Sequence, residues 1–404
     1  MIPFSPPHIS QEHIDEVIDT LKSGWITTGP KTKLFEKKLA EYCQVPYFLA
    51  VNSATFGLEI VLRWFGVKEG DEVIIPSYTY VATANVVVHT GAKPVMVDIN
   101  QKDFNINIDA VKKAITPKTK VIIPVDIAGY PANYDDIFNL INRPEISKLF
   151  QPEHKNQKKL GRILVLADAA HSFGAIYKNK KSGSLADISV FSFHAVKNLT
   201  AAEGGGIAIN LPSSFQSKKV YEFLNRYSLH GQSKDALAKT KKGNWRYDVL
   251  EVGYKGNMTD IQASLGLVSL KQYDNENLKR RKEIFDFYTQ IFSQYKWAEL
   301  PEYINKNKKA SYHLFLLRIK NIDENTRDLI IHDIFEQNVS VNVHFQPLPL
   351  LTAYKKLNYK IEDYPVSYDN YSRVISLPVY QDLTDDNLNT IVQAVIKSVE
   401  KNLK

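Results

Sequence analysis

The chain has 404 residues, enough for two domains, and its composition of 44% hydrophobic and 24% charged residues is typical of a globular protein. No apolar run reaches the ~18 residues of a membrane span and no secretory signal opens the chain, so we expect a cytoplasmic protein with no membrane partner. The single cysteine and the absence of a His-x-x-x-His pair among ten histidines argue against a metal site. The net charge of +7 is dispersed among acidic residues, which argues against nucleic acid and fits a phosphorylated small substrate.

The first elements in chain order alternate helix and strand patterns. Ile14, Val17, Ile18 and Leu21 share one helical face, and Gly24 is expected to end that helix. Short β-branched runs then alternate with helices, which predicts a large, doubly wound α/β domain with a mostly parallel seven-stranded sheet. The seven strand candidates are 47–51, 73–75, 94–97, 121–125, 163–167, 188–193 and 206–209.

The pattern changes after about residue 250. Predicted elements there are a long charged helix over 272–295, a strand over 312–319, a helix over 327–336, a strand over 340–344 and a last helix that starts at Thr384. They indicate a smaller α+β domain. We therefore divide the chain into a large domain at 1–252 and a small C-terminal domain at 253–404.

Polar residues that directly follow strands are the candidates for ligand binding, because ligands of open α/β sheets bind beyond the carboxyl ends of the strands. Ser53, Ala54 and Thr55 follow the first strand and open a helix, whose free N–H groups favour an anion such as phosphate. From this segment alone, the simpler interpretation of Ser53 is a helix N-cap.

Asp168 ends the fifth strand candidate, and His171 follows three residues later. A carboxylate at the tip of a central strand can bind a protonated ring nitrogen, a metal or a ribose, or can simply cap a helix. His171 taken alone is more typical of a structural histidine.

Lys197 follows the next strand tip, ahead of three consecutive glycines at 204–206 that allow a tight turn. A desolvated lysine has a lowered pKa and can form a Schiff base. A lysine, an acidic strand tip and an anion-binding helix start are together what pyridoxal 5'-phosphate (PLP) requires, for its aldehyde, its ring nitrogen and its phosphate.

The chain resembles the DegT family of PLP-dependent nucleotide-sugar aminotransferases, which have the aspartate aminotransferase fold, fold type I. The resemblance covers nearly the whole chain and rests on motifs that are weak singly and specific in this order. These motifs lie at 23–30 (SGWITTGP), 53–55 (SAT), 76–83 (PSYTYVAT), 167–171 (ADAAH), 191–197 (FSFHAVK), 253–263 (GYKGNMTDIQA), 311–315 (SYHLF) and 376–378 (SLP).

The resemblance implies roles for individual residues. Lys197 would form the Schiff base and shuttle a proton, Asp168 would pair with the ring nitrogen, and His171 would lie near the ring hydroxyl. Tyr80 would stack on the ring. The remaining implied contacts are Ser53, Ala54, Thr55 and Ser192 for the phosphate, Asn257 or Lys255 from the second subunit of a homodimer with shared sites, and Trp25, Thr27, His313 and His344 for the substrate.

Two single positions and one segment depart from the family pattern. The family more often has glycine at the position of Ala54 and an acidic residue at that of Ala167. Where the family commonly has Gly-Tyr-Asn-Tyr-Arg, this chain has Gly-Tyr-Lys-Gly-Asn at 253–257. The last variant leaves the ligand from the second subunit open between Lys255 and Asn257.

The resemblance implies transfer of the amino group of L-glutamate to a 3- or 4-keto sugar, expected to be a deoxy sugar, on a nucleotide, for surface polysaccharide or related amino-sugar synthesis. One alternative is a sugar dehydratase on the same scaffold, but such relatives carry histidine in place of the Schiff-base lysine. The other alternative is a cofactor-free binding protein of this fold. The presence of both Lys197 and Asp168 argues against that alternative.

Overall fold

The computed structural model describes residues 1–234 and 246–403. Its centre is a sheet of seven strands, which are β1 (Tyr47–Val51), β2 (Glu72–Pro76), β3 (Lys93–Val97), β4 (Thr119–Ile122), β5 (Leu164–Asp168), β8 (Ile188–Ser192) and β9 (Gly205–Ile209). Their order in the sheet is β1-β9-β8-β5-β4-β2-β3. All seven predicted strands are present, and the predicted fold class is confirmed.

Strand direction determines which residues meet at the edge of this sheet. Neighbours from β8 through β5, β4 and β2 to β3 pair in parallel, whereas β9 runs antiparallel to both β1 and β8. The strands β4, β5 and β9 are buried along their whole length, as expected for a sheet covered on both faces. The carboxyl ends of β1, β2, β5 and β8 therefore lie at one edge, together with the amino end of β9.

Helices cover both faces of the sheet and continue into the C-terminal part of the chain. In the described residues they are α1 (Gln11–Ser23), α2 (Pro30–Cys43), α3 (Ala54–Phe65), α4 (Val81–His89), α5 (Ile108–Ala114), α6 (Tyr134–Ile141), α7 (Pro144–Ser147), α8 (Lys155–Leu160), α9 (Ser217–Tyr227), α10 (Asp260–Gln272), α11 (Lys279–Phe292), α12 (Glu324–Glu336), α13 (Thr352–Lys355), α14 (Pro365–Arg373) and α15 (Asp385–Asn402). Single helical turns of other types lie at Ile127–Gly129, Tyr273–Leu278, Leu348–Leu350 and Ile361–Asp363.

The C-terminal part has its own sheet and its own core. The strands β10 (Ala298–Glu299), β12 (Phe315–Ile319) and β13 (Val374–Leu377) form an antiparallel sheet, and α11, α12 and α15 pack on it. A third sheet joins β11 (Lys308–Lys309) to β6 (Ile176–Tyr177) and β7 (Lys180–Lys181), so it links the two halves of the chain. Helix α10 packs against α1 and α2. The division at residue 252 remains a prediction.

One predicted strand does not form as expected. Within the predicted strand at 340–344, Asn342 makes a single antiparallel bridge with Ser376, and the backbone leaves the β12–β13 sheet on either side of that bridge. The final helix agrees with the prediction, because the Thr384 side chain accepts a hydrogen bond from the Asn387 backbone N–H and so caps it.

Helix α1 ends where the sequence predicts, since Gly24 adopts a left-handed conformation with φ of 70°. Its apolar face does not enter a core, however. Ile14, Ile18 and Leu21 are 45%, 42% and 54% exposed, while His13 and Thr20 point inward. An apolar stripe of this kind is a surface that a partner can cover.

Neither a helix long and apolar enough to cross a bilayer nor a group of three or more His, Cys, Asp or Glu side chains able to hold a metal ion is found among the described residues.

Candidate active site

A cavity of about 480 Å³ lies at the sheet edge where the ends of β1, β2, β5 and β8 meet. Ten residues singled out from the sequence line it: Ser53, Ala54, Thr55, Tyr80, Asp168, His171, Ser192, Lys197, His313 and His344. They come from six different segments of the chain. The topology of the sheet and the approach of the C-terminal part bring them together.

Lys197 is partly buried in a turn that follows β8, where its backbone N–H donates to the His194 carbonyl at 2.8 Å. Burial lowers the pKa of the Lys197 amine to about 8, although the charge of Asp168 acts in the opposite direction. A substantial fraction of the amine is therefore neutral near pH 7 to 8, and the neutral form is the nucleophile.

Asp168 is 5% exposed at the end of β5. One carboxylate oxygen accepts a hydrogen bond from the Thr83 hydroxyl at 2.7 Å, and the other accepts a long one, 3.3 Å, from the Ala170 N–H. Burial raises the pKa of Asp168, opposed by these two hydrogen bonds and by Lys197. A buried carboxylate with so few donors is well placed to pair with a cation that enters the cavity.

The start of α3 forms one wall of the cavity. The Ser53 hydroxyl accepts a hydrogen bond from the Phe56 N–H at 3.2 Å, so Ser53 is an N-cap as well as a lining residue. Gly205 passes so close that an added Cβ would lie 2.4 Å from the Ala54 nitrogen. Because Gly205 has no side chain, the N-terminus of α3 stays open to an anion.

Three histidines form another wall. The His171 and His313 rings lie 4.4 Å apart, and His171 also stacks on Phe345 at 5.7 Å. Burial lowers the pKa of all three imidazoles, and that of His344 falls to about 4. The buried Nδ1 of His171 has no hydrogen-bond partner among the described residues.

Four predicted site residues lie outside this cavity. Trp25 packs on Gly29 with its indole N–H buried and unpaired within the described part of the chain, and the Thr27 carbonyl accepts from the Asp260 N–H at 3.0 Å. The Asn257 side-chain amide donates a hydrogen bond to the Thr28 hydroxyl at 2.5 Å. The backbone of Lys255 pairs with that of Leu229 in an isolated antiparallel β-bridge. Their predicted contacts with cofactor or substrate remain predictions.

The structure adds residues that the sequence did not single out. Thr83 is fully buried and bonds Asp168, and its place in the quoted 76–83 motif after β2 was the available signal. The N-terminal arm places Phe4 and Ser5 in the cavity, with the Phe4 ring stacked on His344 at 5.4 Å. Nothing in the sequence pattern places this arm there, because the contact spans some 340 residues.

The whole chain also matches known proteins. The profile of the DegT/DnrJ/EryC1/StrS aminotransferase family matches residues 7–151 and 153–396. The structure superposes on the putative sugar aminotransferase Spr1654 of Streptococcus pneumoniae, in its PMP form, with a TM-score of 0.96, 44% identity and full coverage of both chains.

Two further relatives are informative. The spore coat polysaccharide biosynthesis protein SpsC of Bacillus subtilis is 35% identical over 398 residues, 98% of this chain and 96% of SpsC. Helicobacter pylori PseC, an aminotransferase involved in the biosynthesis of pseudoaminic acid, matches with a TM-score of 0.86 and 29% identity over 99% of each chain.

The fold and site thus define a PLP-dependent enzyme of fold type I. The chain belongs to the DegT/DnrJ/EryC1/StrS aminotransferase family, and it is a sugar aminotransferase that uses PLP.

The lining residues suit this cofactor. An open helix terminus suits the phosphate, and the under-bonded carboxylate of Asp168 suits the ring nitrogen. The unpaired Nδ1 of His171 suits the ring hydroxyl, and the amine of Lys197 suits the aldehyde. Each polar group of PLP therefore has a chemically matched partner in one cavity.

Proposed function

We propose that this enzyme transfers the amino group of L-glutamate to a keto group, at carbon 3 or 4, of a nucleotide-linked deoxy sugar used for surface polysaccharide or related amino-sugar synthesis. The names of SpsC and PseC, which point to polysaccharide and amino-sugar synthesis, support this class of product. A cytoplasmic location, where activated sugars are made, belongs to the same proposal.

The observation that carries the proposal is the joint placement of Lys197 and Asp168. Both line one cavity with the start of α3, the lysine has a pKa of about 8, and the carboxylate is buried with few donors. An amine alone or a carboxylate alone has a structural explanation. The pair beside an open helix terminus is what PLP chemistry needs.

PLP, when bound, supplies the electron sink that lets an amino group leave one carbon and join another. In our proposal, Lys197 Nζ would move a proton between the substrate carbon and the cofactor, from the amino-donor carbon in the first half-reaction and to the sugar carbon in the second. Asp168 keeps the ring nitrogen protonated, and Thr83 holds the carboxylate in place. Ser53, Ala54, Thr55 and Ser192 hold the phosphate, and Tyr80, which is 59% exposed in the single chain, covers the ring.

We also propose a homodimer with shared sites. The exposed apolar stripe of α1 needs a cover, and Val249, Leu250 and the 92% exposed Val252 offer further apolar surface just before Lys255. Lys255 and Asn257 do not line the cavity of their own chain. A second copy would bury this surface and bring one of these two side chains to the neighbouring phosphate.

The test is a direct assay. Purified enzyme with PLP and L-glutamate is incubated with UDP-, dTDP- and GDP-linked 3-keto and 4-keto sugars, and the products are analysed by mass spectrometry. We expect an amino sugar and an equal amount of 2-oxoglutarate with one of these substrates, and neither with Lys197→Ala. Formation of a dehydrated sugar without transfer of nitrogen would contradict the proposal in favour of a dehydratase.

A further inference from the structure

The residue after the proposed Schiff-base lysine has an unexplained set of contacts. Asn198 is 7% exposed, and its side chain is fully engaged. The amide nitrogen donates to the Ser311 carbonyl at 2.6 Å and to the Tyr273 hydroxyl at 3.5 Å, and the amide oxygen lies 2.8 Å from His313 Nδ1.

These partners settle the orientation of the amide. The Ser311 carbonyl can only accept, so the atom bonded to it must be the NH₂ group. The Tyr273 hydroxyl donates to the Phe173 carbonyl at 2.5 Å, which leaves it as an acceptor for the second amide hydrogen. The oxygen of Asn198 therefore faces His313 Nδ1 and can only accept.

The proton of His313 is thereby fixed on Nδ1. An imidazole whose Nδ1 donates is either neutral, with a lone pair on Nε2, or a cation. Burial lowers the pKa of His313 well below its usual value, and the charges of Lys197 and Arg281, with any charge on His171 or His344, act in the same direction. No carboxylate among the described residues bonds the ring. His313 is thus neutral.

The geometry points to Asn198 as a positioning residue that fixes the tautomer of His313, so that His313 presents Nε2 as an obligate hydrogen-bond acceptor to an N–H or O–H group of a substrate. His313 lines the cavity beside Lys197, and its Nε2 has no partner among the described residues. The inference rests on the proposed function, because it assigns a chemical preference to that same cavity.

Asn198→Asp and Asn198→Leu separate this role from a structural one. A carboxylate opposite Nδ1 favours the imidazolium and should raise the pKa of His313. His313 Nε2 would then become protonated, and would no longer accept a hydrogen bond, as the pH falls through that raised pKa. We expect the acid limb of kcat/KM to move up by at least about one pH unit in Asn198→Asp, and activity to fall about tenfold without such a shift in Asn198→Leu.

The control is Asn210→Asp. Asn210 also donates to backbone carbonyls, those of Ser184 and Ala186 at 3.0 Å, but it lies at the far end of β9. The Asn210→Asp variant therefore adds the same negative charge and removes the same kind of hydrogen-bond donor, but at a position far from the cavity. We expect the wild-type pH profile from this variant.

Nitrogen NMR of ¹⁵N-histidine-labelled apoenzyme gives a readout independent of activity, with the His313 signal assigned by its loss in His313→Gln. We expect the wild type to show neutral His313 with the proton on Nδ1, and Asn198→Leu to show a mixture of tautomers. Proton on Nε2 in the wild type, or unchanged spectra and pH profiles in both Asn198 variants, would overturn the inference.

The two half-reactions identify which substrate carries the N–H or O–H group that binds His313 Nε2. Conversion of the PLP form by L-glutamate and reconversion of the PMP form by the keto sugar are followed separately by absorbance. If Asn198→Asp slows only the reaction with L-glutamate, His313 accepts a hydrogen bond from the amino donor. If it slows only the reaction with the keto sugar, His313 accepts a hydrogen bond from a sugar hydroxyl. If the wild type aminates no nucleotide keto sugar, the proposed function fails, while the NMR result still decides the tautomer.

Discussion

At the level of single residues, the environment of Lys197 makes a prediction about pH. In our proposal the neutral amine of Lys197 attacks the PLP aldehyde, and burial lowers the pKa of this amine to about 8. The rate at which apoenzyme takes up PLP covalently should therefore rise with pH and level off above about 8. Stopped-flow absorbance between pH 6 and about 11 measures this rate, and a midpoint near 10.5, the ordinary lysine value, would contradict the desolvated environment.

The same measurement on Asp168→Asn provides an internal check. The charge of Asp168 raises the pKa of Lys197, so its removal should move the midpoint to lower pH. An unchanged midpoint would mean that the two side chains do not interact.

Asp168→Asn also tests the ring contact. A neutral amide cannot keep the ring nitrogen protonated, so we expect the variant to retain PLP and to transaminate on the order of a thousandfold more slowly. Thr83→Val removes one hydrogen bond to the same carboxylate and should cost about 1–2 kcal/mol, or roughly tenfold. Steady-state kinetics measure both, and near-normal turnover of Asp168→Asn would reduce Asp168 to a structural role.

At the level of secondary structure, the close pass of β9 over the start of α3 can be tested with one methyl group. Gly205→Ala would place a Cβ 2.4 Å from the Ala54 nitrogen and displace the proposed phosphate cradle. We expect PLP affinity to fall at least tenfold, as measured by titration of apoenzyme. Ala54→Gly, which adds no atom to the same cradle, should bind PLP nearly as well as wild type; equal affinity in both variants would argue that the phosphate lies elsewhere.

The same elements show what sequence reasoning can and cannot reach. The seven strands and the site residues that directly follow them were predictable, because burial on both faces leaves continuous apolar runs and parallel strands end at one edge. The hydrogen bond from Thr83 to Asp168, the approach of the arm with Phe4 and Ser5, and the Asn198–His313 contact were not predictable, because they depend on tertiary structure. The predicted strand at 340–344 is the opposite case, a local pattern that tertiary structure overrode. Its β-propensity predicts a strand, but only Asn342 pairs with the C-terminal sheet.

At the level of the whole molecule, subunit mixing tests the shared site. Lys197→Ala should be inactive in its own site, but it carries intact Lys255 and Asn257 for a neighbouring subunit. Mixed with Lys255→Ala or Asn257→Ala, it should form heterodimers with one intact site each, about a quarter of wild-type activity after random exchange. The variant that is complemented identifies the residue that crosses the interface, whereas sedimentation of active enzyme as a monomer would refute the shared site.

The central claim is that Lys197 is the residue that binds PLP covalently, beside Asp168 and the start of α3. The most direct test is borohydride reduction of the holoenzyme followed by proteolysis and peptide mass mapping. We predict the pyridoxyl mass on Lys197 and no labelled peptide in Lys197→Ala. A label on another lysine, such as Lys255, would contradict the account.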